Sequence, residues 1–326
     1  MEAIAFRHAR SRPKIPSCDQ ALTYARGVSV STPSAGSPTE LAQALEATGY
    51  LADDGVATAA YLALRMGRPL FCEGEPGTGK TSLAVALAEA LDLPLIRLQC
   101  HEGIDAAQAL YDWDFPRQLL HLRTLEAASA GHLEAESAER SLYTERFLLA
   151  RPLLRALTEA PCVLLVDEID RADDEFEAFL LEVLAENSVT IPELGTITAT
   201  HPPVIVLTSN RTRDLHDAVK RRCLYHWIDY PGPQREVEIV RRRVKGASET
   251  LAVQVANAVS RMRESDVQKP PGIAEAIDWL AALDLLGVER LDVETVDETL
   301  GTVLKYSEDQ EVIRAAGLDQ LVRSGD

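Results

Sequence analysis

A glycine-rich octapeptide, Gly74-Glu75-Pro76-Gly77-Thr78-Gly79-Lys80-Thr81, joins a short apolar segment to an alanine- and leucine-rich stretch. Strand, tight loop and helix in that order constrain the fold more than anything else in the chain. Gly74, Gly77 and Gly79 allow backbone N–H groups to turn inward around phosphate oxygens, and a helix N-terminus adds a dipole that favours negative charge. Glu75, Pro76 and Thr78 complete the cradle. Lys80 is placed to reach β- and γ-phosphates and Thr81 to offer its hydroxyl to magnesium. The alternative for an isolated match is a glycine-rich turn with no ligand.

The surrounding pattern supports an α/β fold. Apolar segments at Pro69 to Glu73, Leu93 to Gln99, Cys162 to Val166 and Val204 to Thr208 alternate with helical stretches at Val56 to Met66, Thr81 to Leu91, Pro152 to Glu159 and Glu175 to Ala185. That alternation implies βαβ units around a mainly parallel, buried sheet. Residues 1–40 are polar and rich in helix breakers, and they read as a flexible extension. A nucleotide-binding core is expected over 41–230. After Pro231 and Pro233 the remaining chain, 231–326, reads as amphipathic helices forming a smaller domain.

A second motif lies at Val163 to Asp170, VLLVDEID. Four apolar residues suit a buried central strand, and two carboxylates follow at its C-terminal end, where open α/β sheets bind ligands. Asp167 fits a magnesium-orienting acid and Glu168 the base that activates an attacking water; an exposed acidic turn is the other possibility. The segment VIVLTSN ends in Asn210, which either helps hold that water or serves as a turn or cap residue. Lys220, Arg221 and Arg222 stand at an expected helix C-terminus. They either complement its dipole or supply a finger to a neighbouring subunit's γ-phosphate.

Thirty-three basic against 51 acidic residues leave a net charge of −18 over 326 residues. That field disfavours nucleic acid and anionic membranes. No apolar run suits a transmembrane helix or a secretory signal, so no stable membrane insertion and a cytoplasmic setting are expected. Cys18, Cys72, Cys100, Cys162 and Cys223 are widely spaced without a CxxC pair, which suits buried reduced thiols rather than zinc or disulfides.

Phosphate loop, acid pair, asparagine and trailing arginine together resemble an AAA+ ATPase. More narrowly, the chain is similar to the MoxR branch and its CoxD-type subgroup. The segments that carry this are LQCHEGIDAAQALYDWDFPRQLLHLR (98–123), VTIPELGTI (189–197), TSNRTRDLHDAVKRRCLYHWIDYP (208–231) and KPPGIAEAIDW (269–279). The resemblance implies an αβα phosphate-loop core followed by a helical lid, with ATP and Mg2+ as cofactors and a homo-hexameric ring as the assembly. It matches Arg222 to the finger, with Arg221 second, and implies an insert at Ala106 to Arg123 and a hairpin at Ser188 to Thr200. It also implies a von Willebrand factor A-domain partner and a client such as a molybdenum hydroxylase, carbon monoxide dehydrogenase for example.

One departure stands out: the lid motif GIAEAIDW carries Glu275 and no arginine, leaving Arg261 or Arg263 as substitutes. Tyr111, Trp113 and Phe115 form an aromatic group that either packs under a loop or grips a partner. The expected function is a chaperone-like ATPase that remodels a protein. The alternatives are a nucleic-acid-directed motor or loader, which the net charge disfavours, and a GTP switch, which would require an NKxD motif.

Overall fold

The computed structural model describes residues 35–128, 139, 141–159 and 161–322. Most of the N-terminal extension, Cys18 included, lies outside the described residues.

Two helices open the fold. Ser37 caps α1 (Pro38–Ala47), which has proline in its first turn, and Asp53 caps α2 (Asp54–Met66), which Gly67 ends at φ 62°. Then comes β1 (Leu70–Glu73), all four residues buried. It is followed by α3 (Lys80–Ala90) and β2 (Leu95–Gln99). The sheet continues with β5 (Val163–Asp167), β8 (Val204–Ser209) and β9 (Leu224–Trp227). Its spatial order is β2-β5-β8-β1-β9, and every pairing in it is parallel.

Because successive strand residues face opposite sides, each inner strand feeds two cores. Phe71, Leu164, Val166 and Leu207 pack into one layer, whereas Leu70, Cys72, Val163, Leu165 and Val206 pack with α1, α2 and α3 in the other. This is why the inner strands read as unbroken apolar runs. The four described cysteines are free and buried. Burial pushes the thiols of Cys72, Cys100 and Cys223 up to about 12 and that of Cys162 to about 11.

Two antiparallel pairs interrupt the layers. Within the expected insert, α4 (Ala106–Ala109), β3 (Tyr111–Trp113) and α5 (Phe115–Ala128) precede β4 (Leu148–Ala150), which pairs with β3. After α6 (Pro152–Thr158) and α7 (Asp174–Glu186), β6 (Ser188–Ile191) and β7 (Gly195–Thr198) form the expected hairpin. The short α8 (Asp217–Lys220) leads into β9.

Past Trp227 the described residues contain no strand. Helices α9 (Pro233–Arg243), α10 (Glu249–Glu264), α11 (Ile273–Leu285), α12 (Val293–Val303), α13 (Ser307–Ala316) and α14 (Asp319–Val322) enclose a core of their own. Trp279 is buried at its centre, its indole N–H donating to Thr299 Oγ1 at 2.8 Å.

Candidate phosphate-binding site

The glycine-rich loop leaves β1 at the C-terminal edge of the sheet. Gly77 (φ 76°) and Gly79 (φ 93°) occupy backbone conformations that side chains resist. At Gly74 the constraint is space, since a Cβ there would lie 2.2 Å from the Ile228 carbonyl oxygen. Lys80, the first residue of α3, is buried and folds its ammonium back onto Gly74 O (2.8 Å) and Glu75 O (2.6 Å). Burial lowers its pKa, opposed by the negative charges of Asp170, Glu75 and Asp167. The ammonium is thus held within the glycine-rich loop by the loop's own carbonyls.

Parallel pairing carries the acid pair to the same edge. Thr81 Oγ1 donates to Asp167 Oδ1 at 2.9 Å, and Thr208 Oγ1 donates to the same oxygen at 2.5 Å. Asp167 Oδ2 receives Arg97 from β2 at 2.5 Å. A hydroxyl beside a buried carboxylate is a hard-oxygen donor pair, the type magnesium takes. The residues present therefore fit a magnesium–nucleotide complex.

Glu168 follows in a left-handed turn at φ 54°. Its N–H donates to Thr208 Oγ1 at 2.9 Å, and its carboxylate meets Arg171 at 3.2 Å. Asp170, also buried, accepts from the N–H of Asn210 (3.2 Å) and from the N–H (2.9 Å) and hydroxyl (2.7 Å) of Thr212. Asn210 thus sits at the end of β8, between β1 and the acid-bearing β5. Glu73 at the end of β1 is buried, with Tyr225 OH donating to it at 2.9 Å. Burial, then that bond, pushes the Tyr225 phenol up to about 12.

The structure therefore brings Lys80, Thr81, Asp167, Glu168 and Asn210 to one edge. Arg222 is not among them: it precedes β9 at the sheet's opposite end, and its guanidinium donates to Ala218 O at 2.9 Å. The aromatic group divides. Trp113 is 9% exposed and packs edge-on against Tyr111 and Tyr143, whereas Phe115 is 63% exposed. Sequence reasoning missed Arg97, Asp170 and Arg171. Asp170 and Arg171 continue the acidic motif, but for Arg97 only the β2–β5 register gives a signal.

Residues 69–223 match the family model of the AAA domain (dynein-related subfamily). The fold is an AAA+ phosphate-loop core with a helical C-terminal region. Among curated proteins, the chain is 25% identical over 221 residues to the denitrification regulatory protein NirQ of Pseudomonas aeruginosa, covering 64% of this chain and 73% of that one. An uncharacterized protein of Staphylococcus haemolyticus is 21% identical over 259 residues, covering 76% and 90%. A mutant of Thermotoga maritima RuvB has a TM-score of 0.45 at 16% identity, covering 84% of this chain and 72% of that one. Among the described residues no helix is long and apolar enough to cross a membrane.

Proposed function

We propose that the protein is an ATP-hydrolysing AAA+ chaperone of the MoxR branch and CoxD-type subgroup, working as a homo-hexameric ring on a protein partner. The observation that carries the hydrolytic reading is the Thr81–Asp167–Thr208–Glu168 chain of hydrogen bonds beside Lys80. Bound ATP and Mg2+ supply a polarised γ-phosphate. Lys80 would neutralise phosphate charge and Thr81 and Asp167 would hold the metal, while Glu168 takes a proton from a water that Asn210 helps to orient, as that water's oxygen bonds to the γ-phosphorus and the bond from phosphorus to the departing ADP oxygen breaks. Arg171 holds one oxygen of the Glu168 carboxylate, Oε2, and the other oxygen can accept that proton.

The setting rests on the resemblance: a von Willebrand factor A-domain partner and maturation of a molybdenum hydroxylase such as carbon monoxide dehydrogenase. Similarity to a protein named for denitrification regulation supports a regulatory role. Phe115, exposed on the insert, is an apolar group available to such a partner.

Two variants test the chemistry. Lys80→Ala is expected to lose ATP binding, whereas Glu168→Gln binds ATP and hydrolyses it at least about 100-fold more slowly. Equilibrium binding and phosphate release separate the roles, and a Glu168→Gln protein as fast as the parent would remove Glu168 from the mechanism. The Glu168→Gln protein also tests partnership, because the von Willebrand A-domain protein is expected to co-purify with it in ATP and not in ADP.

A further inference from the structure

The helical region touches the phosphate loop through a pair of glycines. A Cβ on Gly77 would lie 2.8 Å from the Gly272 Cα, and one on Gly272 would lie 2.7 Å from the Gly77 Cα. Ile273 N–H donates to Gly77 O at 3.0 Å. Tyr230 OH adds a bond to Pro76 O at 3.3 Å. The side chain brought to the loop by this contact is a carboxylate: Glu275 Oε2 accepts the Gly272 N–H at 2.9 Å and would be 3.3 Å from a Cβ on Gly77.

Neither candidate arginine is turned to the loop. Arg263 pairs with buried Glu236 through two 2.7 Å bonds, donates to Pro271 O at 2.6 Å and lies over the Tyr230 ring. Arg261 donates to the carbonyls of Gln320 and Leu321. The group beside the phosphate loop therefore has the opposite sign to the arginine that the AAA+ resemblance leads one to expect.

We propose that Glu275 discriminates nucleoside triphosphate from diphosphate by repulsion, an inference that rests on the nucleotide-site reading above. N–H groups of a phosphate loop turn toward the anion, while the Gly77 carbonyl points into the lid. A bound anion would then lie across Gly77 from the Glu275 carboxylate. The additional charge of a γ-phosphate weakens the Gly77–Gly272 contact, so the lid grips the loop more firmly with diphosphate than with triphosphate. Linkage makes this reciprocal: a lid without that charge favours triphosphate.

Glu275 also caps α11, and the test must separate charge from cap. Glu275→Gln keeps an oxygen acceptor for the Gly272 N–H and removes only the charge, whereas Glu275→Ala removes both. Full-length proteins would be titrated with a non-hydrolysable ATP analogue and with ADP, each with magnesium, at low and at about 0.5 M salt. Backbone hydrogen exchange at 272–276 would be followed alongside.

In Glu275→Gln the analogue is expected to bind about fivefold more tightly, with ADP changed less, and the gain shrinks in high salt. The parent protein should exchange faster at 272–276 with the analogue than with ADP, and that difference should narrow in Glu275→Gln. A shift in the analogue-to-ADP ratio confined to Glu275→Ala would assign the effect to the cap and overturn the proposal. So would equal shifts for both nucleotides, or none, in Glu275→Gln. A parent protein that binds neither nucleotide would overturn the nucleotide-site reading itself, whereas one that binds both with an unmoved ratio overturns only the role of Glu275.

Discussion

Thr208 joins the two acids of the site through one hydroxyl, donating to Asp167 Oδ1 and accepting the Glu168 N–H. The second bond matters because Glu168 stands at φ 54°, a conformation that costs a non-glycine residue about 1–2 kcal/mol. Thr208→Val keeps shape and volume but leaves the Glu168 N–H without its partner, a loss of about 1–3 kcal/mol. The Val protein is expected to bind ATP with nearly parental affinity and to hydrolyse it at least about tenfold more slowly, whereas Thr208→Ser stays close to the parent. Single-turnover rates beside equilibrium binding check this. Unchanged turnover in Thr208→Val would show that the hydroxyl does not position the base.

Between elements, the decisive joint ties the turn after β5 to the loop after β8. Asp170 makes it, accepting two backbone N–H groups and a hydroxyl from Asn210 and Thr212. Asp170→Ala leaves two part-buried backbone N–H groups and the Thr212 hydroxyl without their acceptor and is expected to lower stability by about 1–3 kcal/mol. It should also reduce turnover more than ATP affinity, since Asn210 loses its place while the phosphate loop keeps its own. Denaturation and a kcat-against-KM comparison read the two effects; a loss of affinity alone would exclude the joint from positioning. How legible each element was follows from its surroundings. The inner strands could be located because burial on both faces demands continuous apolar residues, and the loop and acid pair because phosphate and metal chemistry fix residue types at set spacings. Leu224–Trp227 was not legible as a strand: it lies at the sheet edge, Tyr225 is half-exposed, and no apolar run marks it. The pairing of Tyr111–Trp113 with Leu148–Ala150 spans a long stretch of chain and leaves no periodic trace. Arg97 on Asp167 and Glu275 beside Gly77 are products of tertiary register alone.

At the scale of the whole molecule the two motifs lie at opposite ends of the sheet. The phosphate loop and acids occupy its C-terminal edge, while Arg222 precedes β9, whose Leu224 is aligned with Leu70 at the start of β1. A four-residue strand spans about 13 Å, so Arg222 faces away from its own phosphate loop. Its backbone is fixed there, since Arg68 donates to Arg221 O at 2.7 Å and to Arg222 O at 3.3 Å. In the proposed ring, an arginine so placed would meet phosphate charge on a neighbouring copy and not on its own. Arg221 shares that edge with a side chain 81% exposed, and serves as the comparison. Arg222→Ala is expected to cut turnover by about 1000-fold while leaving ATP binding intact, and Arg221→Ala to have a smaller effect. Arg222→Ala subunits keep a phosphate loop, and Lys80→Ala subunits keep the arginine. Mixed rings should therefore regain hydrolysis at interfaces that combine the intact parts. Labelled subunits would establish that mixed rings form; if such rings stay as inactive as their components, Arg222 does not act across the interface.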